Sequence, residues 1–199
     1  MKQLLFLLAV LLLLSACNKK KEAPLFREIK SAASGLTFNN EIKENEQLNM
    51  INYQYLYNGG GVGIGDFNND GLPDIYFTAS VTPNRLYMNR GNMKFEDVTE
   101  HAGVNGAGKW SRGATIVDIN NDGLLDIYVC AAAWQSAELK KDLLYINTGV
   151  DQAINTPRFR ESAAAYGLVD TVSTHMATFF DYDNDGDLDV YLVVNDLNQ

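Results

Sequence analysis

The stretch DINNDGLLDIYV (residues 118–129) places three aspartates and two asparagines within nine residues and then becomes apolar. The same twelve-residue pattern begins at Asp66 (DFNNDGLPDIYF) and at Asp181 (DYDNDGDLDVYL). In chain order the copies contain three, three and five aspartates, which is 11 of the 25 acidic residues of the chain. Copies at this spacing indicate one supersecondary unit that is repeated along the chain.

The shared pattern, D-x-[DN]-x-D-G-x-x-D, concentrates oxygen ligands on one tight loop. Positions 1, 3 and 5 carry side-chain oxygens, Gly at position 6 permits a sharp turn, position 7 offers its carbonyl, and position 9 adds a last carboxylate. A shell of roughly six to eight oxygens suits calcium better than magnesium, and zinc would require His or Cys, which no loop contains. The sequence predicts a calcium site in each loop (66–74, 118–126 and 181–189), the alternative being an Asx-rich β-turn without an ion.

An EF-hand loop begins in the same way, but it requires a Glu at position 12 and a helix on each side. Position 12 is Phe77, Val129 or Leu192 here, and each loop already has an aspartate at position 9. The residues after the loops (IYFT, IYVC and VYLVV) are β-branched and aromatic, which predicts strands that are covered on both faces. We therefore expect each loop to connect two strands.

Two other segments recur between the loops. LYMNRG (86–91) matches LYINTG (144–149), and FEDVTEHAGV (95–104) matches FRESAAAYGL (159–168), with a weaker copy, FREIKSAASGL, at 26–36. Each unit then has four strands: one on each side of the loop, a third that ends in N-x-G, and a short fourth before a G-[LV] turn. Four-stranded units are typical of β-propeller blades, so we expect an all-β fold with about three blades.

The loops, together with the N-x-G and F-x-[DE] segments, resemble FG-GAP/VCBS repeats, the calcium-loop blades also found in the propeller of the integrin alpha subunit. The segment 57–104 is most similar to the bacterial group related to the cartilage acidic and ASPIC/UnbV proteins. The resemblance covers nearly all of the chain after residue 24. Because such propellers typically have about seven blades and the third unit lacks an L-Y-x-N-x-G segment, we expect part of a larger propeller.

The resemblance implies one calcium ion per repeat, which makes three in this chain. Transferred position by position, it implies these side-chain ligands in the three loops: Asp66, Asn68, Asp70 and Asp74; Asp118, Asn120, Asp122 and Asp126; Asp181, Asp183, Asp185 and Asp189. It implies backbone carbonyl ligands from Leu72, Leu124 and Asp187.

The first residues of the chain have the features of a bacterial lipoprotein. Lys2 precedes an apolar run of eleven residues, LLFLLAVLLLL, which suits a signal peptide and is shorter than the ~20 residues of a membrane-spanning helix. The run ends in LSAC (14–17), which resembles the lipobox and implies a lipid on Cys17, the alternative being a plain secretory signal. We expect a signal peptide at 1–16, a lipidated cysteine and tether at 17–24, and repeats at 25–199.

Charge and cysteine content limit the compartment and the partners. Asn18 is not the aspartate that retains enteric lipoproteins in the inner membrane, which favours the outer membrane of a bacterial envelope, on its periplasmic or surface face. The net charge of −9 argues against nucleic acid and against an anionic membrane surface, so the lipid would be the only membrane contact. With Cys17 lipidated, Cys130 has no partner for an intrachain disulfide and is expected to be a small buried hydrophobe.

Two weaker patterns concern possible ligand surfaces. The tyrosines of YQYLY (53–57) alternate as in a half-buried strand, although tyrosines that stack on sugar rings could show the same spacing. His175 stands six residues before Asp181, where the other units have Gly60 and Arg112. A histidine at this variable position is either a tolerated residue at a strand end or part of a ligand surface.

The residues favour a binding protein over an enzyme. Nothing in their spacing supports a Ser-His-Asp or Cys-His pairing. The function that we expect is a lipid-anchored, extracytoplasmic calcium-binding scaffold for a glycan or protein ligand. The alternative is the propeller part of a polysaccharide lyase or hydrolase, because calcium propellers also carry such activities.

Overall fold

A computed structural model of the protein describes residues 24–106, 108–132, 136–169 and 171–195. The chain divides into two compact units, Met1–Lys30 and Ser31–Gln199. The described part of the first unit, residues 24–30, contains no helix or strand. The predicted signal peptide and Cys17 lie outside the described residues. No helix within the described ranges has the length and the apolar character needed to cross a membrane.

The described residues of the second unit form three antiparallel sheets and three helices of four residues each. The first sheet has the order β1-β2-β3-β4 and consists of Val62–Gly65, Asp74–Phe77, Arg85–Asn89 and Phe95–Asp97. The second sheet has the order β5-β6-β7-β8 and consists of Ser111–Val117, Asp126–Ala131, Leu143–Asp151 and Thr156–Glu161. The third sheet pairs β9 (Thr174–Phe180) with β10 (Asp189–Val194). The helices are α1 (Ser31–Ser34), α2 (Thr99–Ala102) and α3 (Ala137–Lys140).

The three sheets repeat one plan. In each sheet the Asp-rich loop connects the first two strands, and the residue before the loop pairs with the aspartate at position 9: Gly65 with Asp74, Val117 with Asp126, and Phe180 with Asp189. In the two four-stranded sheets the third strand contains the Asn of N-x-G, and the fourth strand contains the Phe of the next recurring segment. The all-β class and the four-stranded, propeller-like unit are therefore confirmed.

The sheets pack face to face, and β6 lies between two cores. Ile127 and Val129 belong to a core with Tyr76 and Met88 of the first sheet. Tyr128 and Cys130 point to the other side, into a core shared with the third sheet, because side chains alternate between the faces of a strand. All six residues of β6 are buried, as predicted for a strand covered on both faces, and Cys130 is a buried free thiol.

The same prediction is wrong for β10. Val190 and Leu192 pack against the core shared with the second sheet, but Tyr191 is 65% exposed and Val193 is 47% exposed. The reason is positional, because β9 is the only strand that pairs with β10 and no further sheet covers its outer face within the part of the chain that the structure describes. Burial on both faces requires a sheet on each side.

The tyrosines of YQYLY (53–57) do not lie on a strand, so that prediction is also wrong. Residues 50–57 form turns, which follow an Asx-rich segment. The side chain of Asn45 accepts from the backbone N–H groups of residues 47 and 48, and that of Asn49 accepts from those of residues 51 and 52. Such local bonds compete with strand formation. Tyr53 is nevertheless buried, with its ring against Trp110.

Candidate metal centres

The three Asp-rich loops adopt the same backbone turn. Position 4 is an asparagine in the left-handed region, with φ of 55°, 55° and 61° at Asn69, Asn121 and Asn184. Position 6 is a glycine with φ of 84°, 83° and 94° at Gly71, Gly123 and Gly186. Asn and Gly are the residues that tolerate this conformation, so the sequence specifies the turn at two positions.

The first aspartate of the loop closes the turn by accepting backbone N–H groups. Asp66 accepts from the N–H of Asp70 at 3.0 Å and from that of Gly71 at 2.7 Å. Asp118 accepts from the corresponding groups of the second loop at 3.0 and 2.8 Å, and Asp181 accepts from Gly186 at 3.1 Å. In each loop this carboxylate therefore accepts from the N–H of the glycine at position 6.

Positions 3 and 5 lie side by side. The amide nitrogen of Asn68 donates to Asp70 Oδ2 at 2.8 Å, and Asn120 donates to Asp122 Oδ2 at the same distance. The other oxygen of Asp70 accepts from the N–H of Leu72 at 3.0 Å. The amide oxygen of Asn68, Oδ1, is buried and has no hydrogen-bond partner. The first loop therefore holds a buried acceptor without a donor.

The aspartate at position 9 is buried and connects the loop to the third strand. Asp74 accepts from the N–H of Phe67 at 3.0 Å and from that of Asn89 in β3 at 2.7 Å. The pKa of Asp74 is raised to about 6. Burial is the largest cause and the nearby carboxylates of Asp70 and Asp66 add to it, while the two N–H groups oppose it.

Asp126 occupies the same place in the second loop. It accepts from the N–H of Ile119 at 3.1 Å and from that of Asn147 in β7 at 2.7 Å. Its pKa is raised above the usual range, mainly by burial and further by Asp122 and Asp118, against the effect of the two N–H groups. In both loops, therefore, burial and two neighbouring aspartates favour the neutral form of the aspartate at position 9.

The third loop is the most exposed and the most acidic. Oxygens of Asp181, Asp183 and Asp189 lie within 4.8 Å of one another, which is a spacing that one cation could bridge. Asp189 also accepts from the N–H of Tyr182 at 2.8 Å. Asp185 accepts from the N–H of Asp187 at 2.9 Å and is not part of that group of three.

The N-x-G asparagines support the loops in a way that the sequence did not reveal. The side-chain nitrogen of Asn89 donates to the carbonyl of Pro73 at 3.0 Å. That of Asn147 donates to Leu125 at 3.2 Å and also to Phe67 of the first loop at 2.9 Å. The repeated N-x-G was visible in the sequence, but its partner 80 residues away was not.

A second link joins the first two loops directly. Asn69 donates to the carbonyl of Gly123 at 3.1 Å, and Asn155, from the turn between β7 and β8, donates to Asp70 Oδ2 at 3.3 Å. The two loops therefore lie next to each other, at the same end of their sheets.

The donor set fits a hard divalent cation. The side chains that the sequence assigns to each loop offer only carboxylate or amide oxygens. The ion pairs of the described residues include no carboxylate of the three loops, so no Lys, Arg or His neutralises them there. The unpartnered Asn68 Oδ1 adds a buried oxygen that a cation would satisfy. The carbonyl ligands Leu72, Leu124 and Asp187 remain predictions.

Comparison with known proteins agrees with this geometry. Residues 52–129, which contain β1 to most of β6 and the first two loops, match the family model of the FG-GAP-like repeat. The chain is an FG-GAP-repeat protein. It is 30% identical over 137 residues to cartilage acidic protein 1 of Xenopus tropicalis. The matched residues make up 68% of this chain and 20% of that protein.

Two mammalian cartilage acidic proteins are also similar to this chain. The human cartilage acidic protein 1 is 30% identical over 137 residues, or 68% of this chain and 19% of that protein. The mouse protein is 36% identical over 69 residues, or 35% of this chain and 11% of that protein. This FG-GAP-repeat chain spans about a fifth of the length of the first two relatives.

Proposed function

We propose that this FG-GAP-repeat protein is a calcium-loaded binding scaffold of the bacterial envelope. The observation that carries the proposal is the recurrence of one backbone turn in three loops, each with carboxylates that have no basic partner among the described residues. Calcium, when bound, would supply positive charge and accept oxygen ligands in place of water. The chain would hold the loops and present its sheets as a rigid surface for a glycan or protein ligand.

The side chains at positions 1, 3 and 5 of each loop would provide ligands that face the ion. Asp66 and Asp118 are already oriented by two backbone N–H groups each. Asp74 and Asp126 would complete the shell and transmit its order to β3 and β7 through the N–H groups of Asn89 and Asn147. A bound ion would therefore stabilise the sheet as well as the loop.

Ion stoichiometry tests the calcium part of the proposal. Native mass spectrometry and calorimetry should find three calcium ions in the unmodified chain. Asp70→Ala, Asp122→Ala and Asp185→Ala should each remove about one ion. Asp151→Ala, in β7 and outside the loops, should remove none. If no calcium binds at millimolar concentration, the loops are Asx turns and the assignment fails.

The envelope location rests on Cys17, which lies outside the described residues. Replacement of Cys17 by Ser should abolish incorporation of radiolabelled fatty acid and move the protein to the soluble fraction. Cys130→Ser is the matched control, because that thiol is buried in β6 and cannot accept the lipid in the folded protein. Unchanged membrane association of Cys17→Ser would contradict the proposed anchor.

A further inference from the structure

The first two Asp-rich loops offer the same ligand types in different surroundings. In both loops (66–74 and 118–126) positions 1, 3, 5, 7 and 9 are Asp, Asn, Asp, Leu and Asp. The asparagine at position 4 has a φ of 55° in each loop. At position 3, however, Asn68 is only 8% exposed, whereas Asn120 is an exposed residue. A difference in calcium affinity between the two loops would therefore come from the residues around them.

The turn between β7 and β8 contacts the first loop. The side chain of Asn155 in this turn donates to Asp70 Oδ2 at 3.3 Å, and its carbonyl accepts from the amide nitrogen of Asn68 at 3.4 Å. Asn155 has a φ of 47°, in the left-handed region that asparagine tolerates. One residue of the second sheet therefore contacts positions 3 and 5 of a loop that belongs to the first sheet.

Arg90, which directly follows β3 of the first sheet, holds this turn. Its guanidinium donates to the carbonyl of Asn155 at 2.9 Å, to that of Ile154 at 3.3 Å and to Thr156 Oγ1 at 3.1 Å. Its Nε donates to Glu96 at 2.8 Å, which fixes the plane of the group. Arg90 and Asn155 are together called the inter-sheet clamp. The clamp joins the first loop and the β7–β8 turn into one hydrogen-bonded unit.

The second sheet has a different residue at the place of Arg90. In LYINTG, the copy of LYMNRG, this place is taken by Thr148. Its hydroxyl donates to the carbonyl of Arg158 at 3.0 Å, within the same sheet. A hydroxyl group has one donor, whereas a guanidinium has five in a fixed fork. The difference between the two loops is therefore encoded at a single position of the repeat.

The clamp leaves Asp70 able to bind an ion. Asp70 Oδ2 accepts from the amide nitrogens of Asn68 and Asn155, and Oδ1 accepts from the N–H of Leu72. An ionised carboxylate can accept about four such bonds, so these three leave a lone pair on Oδ1. The bonds orient the carboxylate without using its full capacity.

We propose that the inter-sheet clamp makes the first loop a tighter calcium site than the second, with Asn155 and Arg90 as positioning residues that do not touch the ion. The inference rests on the proposed calcium function. Fixing Asn68 and Asp70 before the ion arrives removes part of the cost of ordering them. Outer partners of metal ligands typically contribute about tenfold to a hundredfold in affinity. Because coupling is reciprocal, an ion in the first loop would also stabilise the β7–β8 turn of the second sheet.

Proteins with one intact loop measure each site alone. Asp122→Ala combined with Asp185→Ala leaves the first loop (the first-loop protein), and Asp70→Ala combined with Asp185→Ala leaves the second (the second-loop protein). Titration calorimetry with calcium should give a dissociation constant about tenfold lower for the first-loop protein. Equal constants, or tighter binding by the second-loop protein, would overturn the inference.

Two variants of the first-loop protein test the clamp itself. Asn155→Gly tolerates the left-handed turn but removes the amide, and Arg90→Thr introduces the residue of the second sheet. Each should weaken calcium binding by about tenfold. The matched control is Asn92→Gly, the same exchange at an exposed left-handed asparagine (φ 52°) between β3 and β4, which should leave the affinity unchanged. If Asn155→Gly leaves the affinity unchanged, or weakens both single-loop proteins equally, the clamp does not position the first site.

Hydrogen exchange distinguishes a positioning role from a general loss of stability. Calcium added to the first-loop protein should slow exchange of the backbone N–H groups of residues 152–156 about tenfold, although these residues belong to the second sheet. Calcium added to the second-loop protein should not, and Asn155→Gly should abolish the effect in the first-loop protein. Calcium that binds the first loop without slowing exchange in this turn would show that the ion and the clamp are not coupled.

The same titrations separate this inference from the proposed function. Calcium that binds the first-loop protein equally well with and without the clamp residues contradicts the clamp alone. If neither single-loop protein binds calcium at millimolar concentration, the calcium sites are wrong and the clamp fails with them.

Discussion

Asp74 is subject to two opposing electrostatic effects. Two backbone N–H groups favour its charged form, while burial and the carboxylates of Asp66 and Asp70 favour its neutral form. The second set of effects is larger, since the pKa is raised to about 6. Without a cation, the contribution of this group to stability is fully present below its unfolded pKa of 3.8 and is lost as the pH rises through about 6. A cation would reverse that dependence, because it binds only the charged form.

Calcium binding should therefore release protons near the pKa of Asp74. Near pH 6 about half a proton should leave this carboxyl group for each ion bound in the first loop, whereas at pH 8 the group is already charged. Calorimetry in two buffers with different ionisation enthalpies measures the number of protons released. The number should be larger at pH 6 than at pH 8. Equal release at both values would show that Asp74 is not coupled to the ion.

Asn147 should contribute more to the free energy of unfolding than its equivalent Asn89. The side-chain oxygen of each residue accepts from the N–H two residues later, of Gly149 or Gly91, so these bonds are equivalent. The side-chain nitrogen of Asn147 also donates to the carbonyls of Phe67 and Leu125, whereas that of Asn89 donates to the carbonyl of Pro73. We expect Asn147→Ala to lower the free energy of unfolding by about 2 kcal/mol and Asn89→Ala by about 1 kcal/mol. Urea denaturation at a fixed calcium concentration measures both. Equal losses would indicate that the bond between the sheets contributes nothing.

At the level of elements, β1 and β5 approach each other closely because β1 contains glycines. A Cβ at Gly63 would lie 2.6 Å from Ile116 Cδ1, and one at Gly65 would lie 2.9 Å from Ile116 Cγ2 and from Leu125 Cδ1. A Cβ at Gly61 would meet the backbone of Arg112 at 2.8 Å. The absence of side chains at these glycines allows Ile116, Leu125 and the backbone of Arg112 to come this close.

The close approach predicts a compensating pair of substitutions. Gly63→Ala should destabilise the protein by about 1 to 3 kcal/mol, because Ile116 Cδ1 occupies the space of the new methyl group. Ile116→Val removes that atom and should cost about 1 kcal/mol on its own. The double variant should lose less than the sum of the two losses, as measured by thermal or urea denaturation. Additive losses would mean that the two side chains do not compete for one space.

How much the sequence could predict depended on the range of the interactions. The loops were predictable because residues 66–74 and their copies form their turn with neighbours at most a few residues away. The strands around them were predictable in order and in type. The alternation in 53–57 was misleading, because side chains of Asn45 and Asn49 favour turns there. The bulge in β9, where the pairing with β10 skips His175, was not predictable, because an extra residue appears only when the partner strand is known.

In the molecule as a whole, negative charge is concentrated at one end of the first strands. The three loop patterns contain 11 of the 25 acidic residues, whereas Arg112 and His175 lie at the opposite ends of β5 and β9. Like charges this close repel one another, so the folded state without a cation stores electrostatic free energy in its loops. Because Asn69 and Asn147 link the first two loops across the sheets, ions bound there would stabilise the packing of neighbouring units as well.

Removal of calcium should therefore lower the melting temperature of the entire protein. Extracellular calcium modules bind at ~0.1 to 1 mM, so a site at the tight end gains ~1.4 kcal/mol in about 1 mM calcium. Three such sites would contribute ~4 kcal/mol, a large part of the ~5 to 15 kcal/mol that keeps a domain folded. For a chain of 199 residues, this corresponds to a decrease of ~8 to 16 °C on chelation, which calorimetry or circular dichroism measures.

Magnesium at equal ionic strength should not restore the melting temperature, because it prefers a smaller octahedral shell. The combined variant Asp70→Ala, Asp122→Ala and Asp185→Ala should melt at one temperature with and without chelator, and a chelator effect that persists in it would place the stabilising ions outside the loops.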